Sequence, residues 1–114
     1  MNNGTDRKDY IDVDDALKRV GGNMELLKKL LKHFLASTQL EPLEQALCRG
    51  DTEEATRLAH TLKGVAANLS LIKLRDISIE LEHHIKNGSS YGGSLDELKQ
   101  AFDTTAGYIA EVTG

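Results

Sequence analysis

Apolar residues recur every three or four positions in five separate stretches of this chain, and that period confines it to packed helices. The stretches are Val13, Ala16, Leu17 and Val20; Leu26 to Leu35; Ala55, Leu58, Leu62, Val65, Ala66 and Leu69; Leu74, Ile77, Leu81 and Ile85; and Leu98 to Val112. One face of an α-helix repeats every ~3.6 residues, whereas a half-buried strand alternates at every second residue. Aromatic residues make up only 4% of the chain and there is a single proline. The core must therefore be built mainly from Leu, Ile, Val and Ala, which suits helices better than a β-sandwich. A length of 114 residues suits one domain with one core.

Local signals mark where the helices start and stop. Asp12 can cap a short helix over residues 13–20, with Asp14 and Asp15 at the positive end of its dipole and Gly21-Gly22 ending it. Such a short helix needs a larger body to lie across. Asn23 is a good N-cap for the leucine-rich second helix. Pro42 interrupts that run, but Leu43 and Leu47 continue it to Gly50, so the pattern predicts one long helix kinked at the proline. Asp51 with Glu54 three residues later resembles a capping box and opens a third helix ending near residues 68–70. The fourth helix has Ser78 at the edge of its apolar stripe. Residues 88–93 read as a loop, and Ser94 with Glu97 as a second capping box. The expected architecture is an all-α, antiparallel up-and-down four-helix bundle with a short extra N-terminal helix. Residues 10–114 form the bundle domain, and residues 1–9 a flexible leader without the apolar segment of a secretory signal.

Composition narrows the function classes. The net charge of −4 argues against nucleic acid as the main partner, because phosphate backbones are bound by clustered Lys and Arg. Cys48 is the single cysteine, so no intrachain disulfide can form. A reducing cytoplasm is the simplest setting, and Cys48 reads as a small packing residue. No apolar run approaches the ~20 residues that span a bilayer, so no membrane insertion is expected. There is no Gly-x-x-x-x-Gly-Lys-Ser/Thr loop, so the chain is not expected to draw phosphoryl groups from ATP. Nothing in the sequence demands a dimer, and a monomer is expected.

Residues 59–69 stand apart from the other helical stretches. His60 lies about 160° from Leu62 on the helical wheel, opposite the apolar stripe. Thr56, Lys63, Gly64 and Ala67 surround it. An exposed histidine is not needed to fold this helix, and a mid-helix glycine costs ~1 kcal/mol relative to alanine. The pattern points to close approach by another group. An imidazole near neutral pH is a nucleophile, and Lys63, one turn on, places a cation on the same side.

The run His60-Thr61-Leu62-Lys63-Gly64-Val65-Ala66-Ala67-Asn68-Leu69 resembles the signature of histidine phosphotransfer (HPt) domains of bacterial multistep phosphorelays. Ala67 and Ser70 stand where the family carries glycines. Residues 11–17, 21–23, 30–35 and 50–51 also look like the family frame, so the likeness covers most of the chain from about Tyr10 onward. The resemblance implies that His60 is the phosphoacceptor, Lys63 stabilises the phosphoryl group and Gly64 gives access. It implies that Thr56 and Ala67 lie in the docking surface. The implied partners are response-regulator receiver domains, including that of a hybrid sensor histidine kinase. No cofactor is expected on this chain, and Mg²⁺ is expected on the partner receiver. Some family members carry a glutamine near the position of Glu82, where a glutamate would repel a phosphoryl group unless turned away or protonated. Two other readings remain open on the sequence. One is an adaptor that binds a receiver without turning over. The other is a metal-binding bundle using Glu80 and His83, although no second Glu-x-x-His is present.

Overall fold

The computed structural model describes residues 6–114. Among these residues the elements are α1 (Arg7–Tyr10), α2 (Val13–Arg19), α3 (Met24–Ser37), α4 (Glu41–Arg49), α5 (Thr52–Asn68), α6 (Ile72–Lys86) and α7 (Gly92–Thr113). No strand occurs among them. Three helices start at the side chains that the sequence marks. Asp12 accepts from the Asp15 amide at 3.0 Å, Asn23 from Leu26 at 3.0 Å and Asp51 from Glu54 at 3.1 Å. Each satisfies one of the amides that a helix N-terminus leaves without a partner. The capping box at Asp51 is half made, because the Glu54 carboxylate turns to the Arg57 guanidinium at 2.9 and 2.7 Å.

Two expected boundaries are corrected. The long kinked helix is in fact α3 and α4, separated at Thr38, whose backbone is extended (φ −95°, ψ 126°). Pro42 sits in the first turn of α4, where no intrahelical amide is required. A continuous helix would have lost one hydrogen bond and forced the ring against the carbonyl four residues back. The capping box at Ser94 does not form. α7 already starts at Gly92, and the buried Ser94 hydroxyl donates to Glu80 Oε1 of α6 at 2.9 Å.

The helices form a bundle in which α4 packs on α5, α5 on α6, α6 on α7, and α7 on α3. Its core is built from Leu27, Leu31, Phe34, Leu62, Leu71, Leu74, Leu81, Leu98 and Ile109, among others. α5 and α6 make the closest pair, and α5 presents only Ala55, Ala59 and Ala66 as fully buried side chains. Small side chains there let the two backbones approach. α2 is tied to the turn between α5 and α6, its Asp12 amide donating to the Ser70 carbonyl at 3.0 Å and Asp15 Oδ2 accepting from the Ser70 hydroxyl at 2.6 Å. The expected leader, residues 1–9, falls outside the described residues up to residue 5, and its remainder includes part of α1. Tyr10 at the end of α1 stacks on Tyr108, with centroids 5.5 Å apart.

Three residues assigned to apolar stripes are open to solvent: Leu26 is 40% exposed, Leu30 36% and Val65 38%. Two of them, Leu30 and Val65, line the open groove described below. Cys48 is also exposed and not a packing residue, because it lies on the face of α4 opposite the buried Leu43, Ala46 and Leu47.

Candidate functional site

α5 carries His60 near its middle, with 64% of the side chain open to solvent. The expected neighbours stand around it on the same helix. Thr56 and Lys63 are half-buried, one turn before and one turn after, and Ala67 is half-buried a turn further on. Gly64 is exposed and helical, and a Cβ built on it would meet nothing within 4 Å. Nothing inside this chain therefore calls for glycine at that position. The helix carries a ~1 kcal/mol propensity cost there with no packing return.

Sequence reasoning left one contact out of the site. The Glu82 side chain, on α6, is only 11% exposed, and its Oε2 lies 3.4 Å from His60 Nδ1. Lys86, one turn along α6, places Nζ 3.1 Å from the same oxygen. Burial pushes the Glu82 carboxyl pKa up. The hydrogen bond from Lys86 and the charges of Lys86, His60 and Lys63 outweigh it and hold the group below the usual glutamate range. Glu82 is then an acceptor at neutral pH. A carboxylate beside Nδ1 favours the tautomer with its proton on Nδ1, which leaves the Nε2 lone pair free. The 3.4 Å separation is at the outer limit of hydrogen bonding. The sequence signals only that Glu82 lies at the margin of the buried stripe of α6, next to Leu81 and four residues after Ser78, and not that it faces His60.

The end of α5 is fixed without the glycine of the family pattern. Ser70 takes the left-handed conformation (φ 55°). The Leu71 amide donates to the Ala66 carbonyl at 2.8 Å and the Ser70 amide to the Ala67 carbonyl at 3.2 Å, the two bonds of a Schellman motif. The strain of a non-glycine residue there is offset by the bond from its hydroxyl to Asp15. That bond, followed by the one from Arg19, lowers the Asp15 carboxyl below its usual range.

On the flank of α5 away from α6 lies an open groove of about 910 Å³. Leu30, Phe34, Leu40, Pro42, Leu58 and Val65 line it, Arg19 and His33 stand at its rim, and none of its lining side chains is acidic. Its α5 lining, Leu58, Leu62 and Val65 among them, belongs to a different face of the helix from His60, with Val65 about 140° away on the wheel.

The residues weighed for a metal are otherwise engaged. Glu80 accepts from Ser94, and His83 Nε2 lies 2.9 Å from Asn87 Nδ2. Among the described residues no group of three or more His, Cys, Asp or Glu side chains is gathered as a metal site. Among them, too, no helix is long and apolar enough to cross a membrane.

Compared with known families, the chain matches the model of the Hpt domain over residues 23–108. Neither a curated protein nor a solved structure matches it.

Proposed function

Since this chain belongs to the Hpt domain family, phosphocarrier modules that work with receiver domains in phosphorelays, we propose that His60 is its phosphoacceptor. His60 takes a phosphoryl group from the aspartyl phosphate of one receiver, that of a hybrid sensor histidine kinase, and hands it to another. The observation that carries this reading is the exposed imidazole with Glu82 on its Nδ1 side and open space over Gly64.

The chemistry follows from that arrangement. The Nε2 lone pair attacks phosphorus in line with the acyl phosphate. The P–N bond forms as the P–O bond to the receiver aspartate breaks, and the carboxylate leaves. The Nδ1 proton stays on the ring, so the phosphorylated imidazole is a cation facing Glu82. Lys63 lies where a phosphoryl group on His60 carries its charge, and phosphoryl transfer depends mainly on positioning and charge stabilisation. This chain needs no cofactor of its own in the scheme, and Mg²⁺ in the receiver's aspartate pocket supplies the remaining charge. The reverse sequence passes the group on. Thr56, Gly64 and Ala67 form the centre of the docking face. The apolar groove beside Val65 extends it to a receiver helix with an apolar face. We place the relay in the cytoplasm, where a monomeric carrier meets its receivers transiently through an interface at the small end of the usual range.

The test is transfer of labelled phosphoryl from a panel of phosphorylated receivers to the wild type and to His60→Gln. Acid-labile, base-stable label on the wild type alone is the expected result. Binding of a receiver without label on the wild type would replace the carrier by an adaptor. Label on His60→Gln would place the acceptor elsewhere.

A further inference from the structure

The carboxylate beside His60 is shared. Glu82 Oε2 faces His60 Nδ1 at 3.4 Å and Lys86 Nζ at 3.1 Å, so two cationic groups compete for one oxygen when the imidazole is protonated. Lys86 extends from the last turn of α6 with 60% of its side chain exposed, and the Glu82 side chain is nearly buried. The charged and titratable groups that face Glu82 are Lys86 on its own helix and His60 and Lys63 on α5. Lys63 lies on the same helix as His60 and moves with it. Lys86 is the one among them that comes from α6 itself and meets the same oxygen as His60.

Resting on the proposed phosphoacceptor role of His60, we infer that Lys86 is a positioning residue which, through Glu82, balances His60 between accepting and donating a phosphoryl group. The two half-reactions make opposite demands on the ring. Acceptance needs a neutral imidazole, because only its Nε2 lone pair attacks phosphorus. Donation needs Nδ1 protonated, so that the bond to phosphorus breaks with neutral imidazole as leaving group and not its anion. A carboxylate facing Nδ1 favours the protonated ring in both states, since an opposite charge within a few ångströms stabilises the charged form. Glu82 alone would assist donation and hinder acceptance. Lys86 neutralises part of that carboxylate and holds the shared oxygen, so the pull of Glu82 on the free ring is lessened while the phosphorylated ring keeps its acceptor. A lysine four residues on from Glu82, at helical contact spacing, is placed to balance its charge.

The experiment is an NMR titration of the His60 ring nitrogens in the full chain, with no receiver present. It compares the wild type, Lys86→Met, Lys86→Arg, Glu82→Gln and the Glu82→Gln/Lys86→Met pair. Lys86→Met should move the His60 midpoint up by about half a unit, a threefold gain in proton affinity, as expected for a cation lost near a partly exposed site. Lys86→Arg should restore the wild-type midpoint. In the Glu82→Gln background the same Lys86→Met change should move it by less than a third as much, which assigns the effect to the carboxylate and not to direct repulsion. An unmoved midpoint in Lys86→Met, or an equal shift with and without Glu82, would overturn the inference. These titrations need no phosphodonor. They can therefore fail while His60 still accepts label, and hold even if it does not.

Discussion

Gly64 gives the sharpest prediction, because stability and activity should move in opposite directions. Its backbone is helical, and a Cβ added there meets nothing within 4 Å. Gly64→Ala should therefore gain the full helix-propensity difference, ~1 kcal/mol. With an unfolding entropy of ~2.1 cal/mol/K per residue, that gain raises the Tm of a domain of this length by about 4 °C. Gly64→Gln should gain nearly as much, since glutamine is a good helix former and the site is exposed. Transfer should fall as the side chain grows. One methyl at i+4 from His60 displaces the incoming phosphoryl pocket slightly, and a tenfold loss corresponds to about 1.4 kcal/mol of barrier. Glutamine blocks the approach and should cost about a hundredfold or more, the scale of a 1 Å misplacement. Thermal unfolding followed by circular dichroism gives the first quantity, and single-turnover transfer from a saturating phosphorylated receiver gives the second. A Gly64→Ala protein that melts below wild type would show that the space is not open. A Gly64→Gln protein that transfers at the wild-type rate would show that nothing approaches His60 from this side, and the docking face would be wrong.

Lys63→Ala should slow single-turnover transfer about tenfold or more while changing stability by less than about 0.5 kcal/mol, because among the described residues Lys63 makes no ion pair with an acid within 4.0 Å. Equal losses in transfer and in unfolding free energy would contradict a role in the reaction. Leu30→Asp puts a charge into the apolar groove, on a side chain already 36% exposed. It should weaken receiver binding, measured by calorimetry, at least tenfold and leave the helical signal intact; unchanged affinity would remove the groove from the docking face. Acid should destabilise the fold through its paired carboxylates. Glu82, Glu54 and Asp15 are all lowered from their ordinary values of 4.5, 4.5 and 3.8. The unfolded chain therefore binds their protons first as pH falls. Their contribution is fully present above about pH 5 and is lost as pH drops through the lowered folded values. Melting curves should be flat between pH 8 and 5 and fall below, and Glu82→Gln should reduce the slope of that fall.

How much of this could be read from the sequence depends on how local each signal is. The starts of α2, α3 and α5 were legible, because an N-cap acts on amides two or three residues away. The shared place of His60, Lys63 and Gly64 on one helix was legible for the same reason. The separation of α3 from α4 was not. Proline disfavours continuation, but the apolar period runs on through Leu43 and Leu47, and only packing decides between a kink and a break. Ser94 has the right spacing for a cap, yet its hydroxyl is taken by Glu80, which lies on another helix. Leu30 and Val65 obey the period of a core stripe, and the wheel does not tell whether a further helix covers them. Glu82 is the most instructive case. Its role depends on facing His60 across the α5–α6 interface, a relation that the spacing within either helix does not contain.

That facing relation has its own cause in α5. Small residues stand on two of its sides for different reasons. Ala55, Ala59 and Ala66 are fully buried against the bundle, and they let α6 come close enough for a side chain as short as glutamate to reach His60 Nδ1. Gly64 stands on the outer side, where packing asks for nothing small, and the half-buried Ala67 lies one turn further on. Shortening the inner side chains sets the distance between the helices, and shortening the outer ones sets how near another protein can come. Both distances converge on one imidazole, which has Glu82 3.4 Å from its Nδ1 and most of its side chain open to solvent. A larger residue at Ala59 would push α6 away and free the ring from Glu82 without touching the docking face, whereas one at Gly64 would close the docking face without disturbing Glu82. The two perturbations act from different sides of the same side chain, so each can be measured without the other.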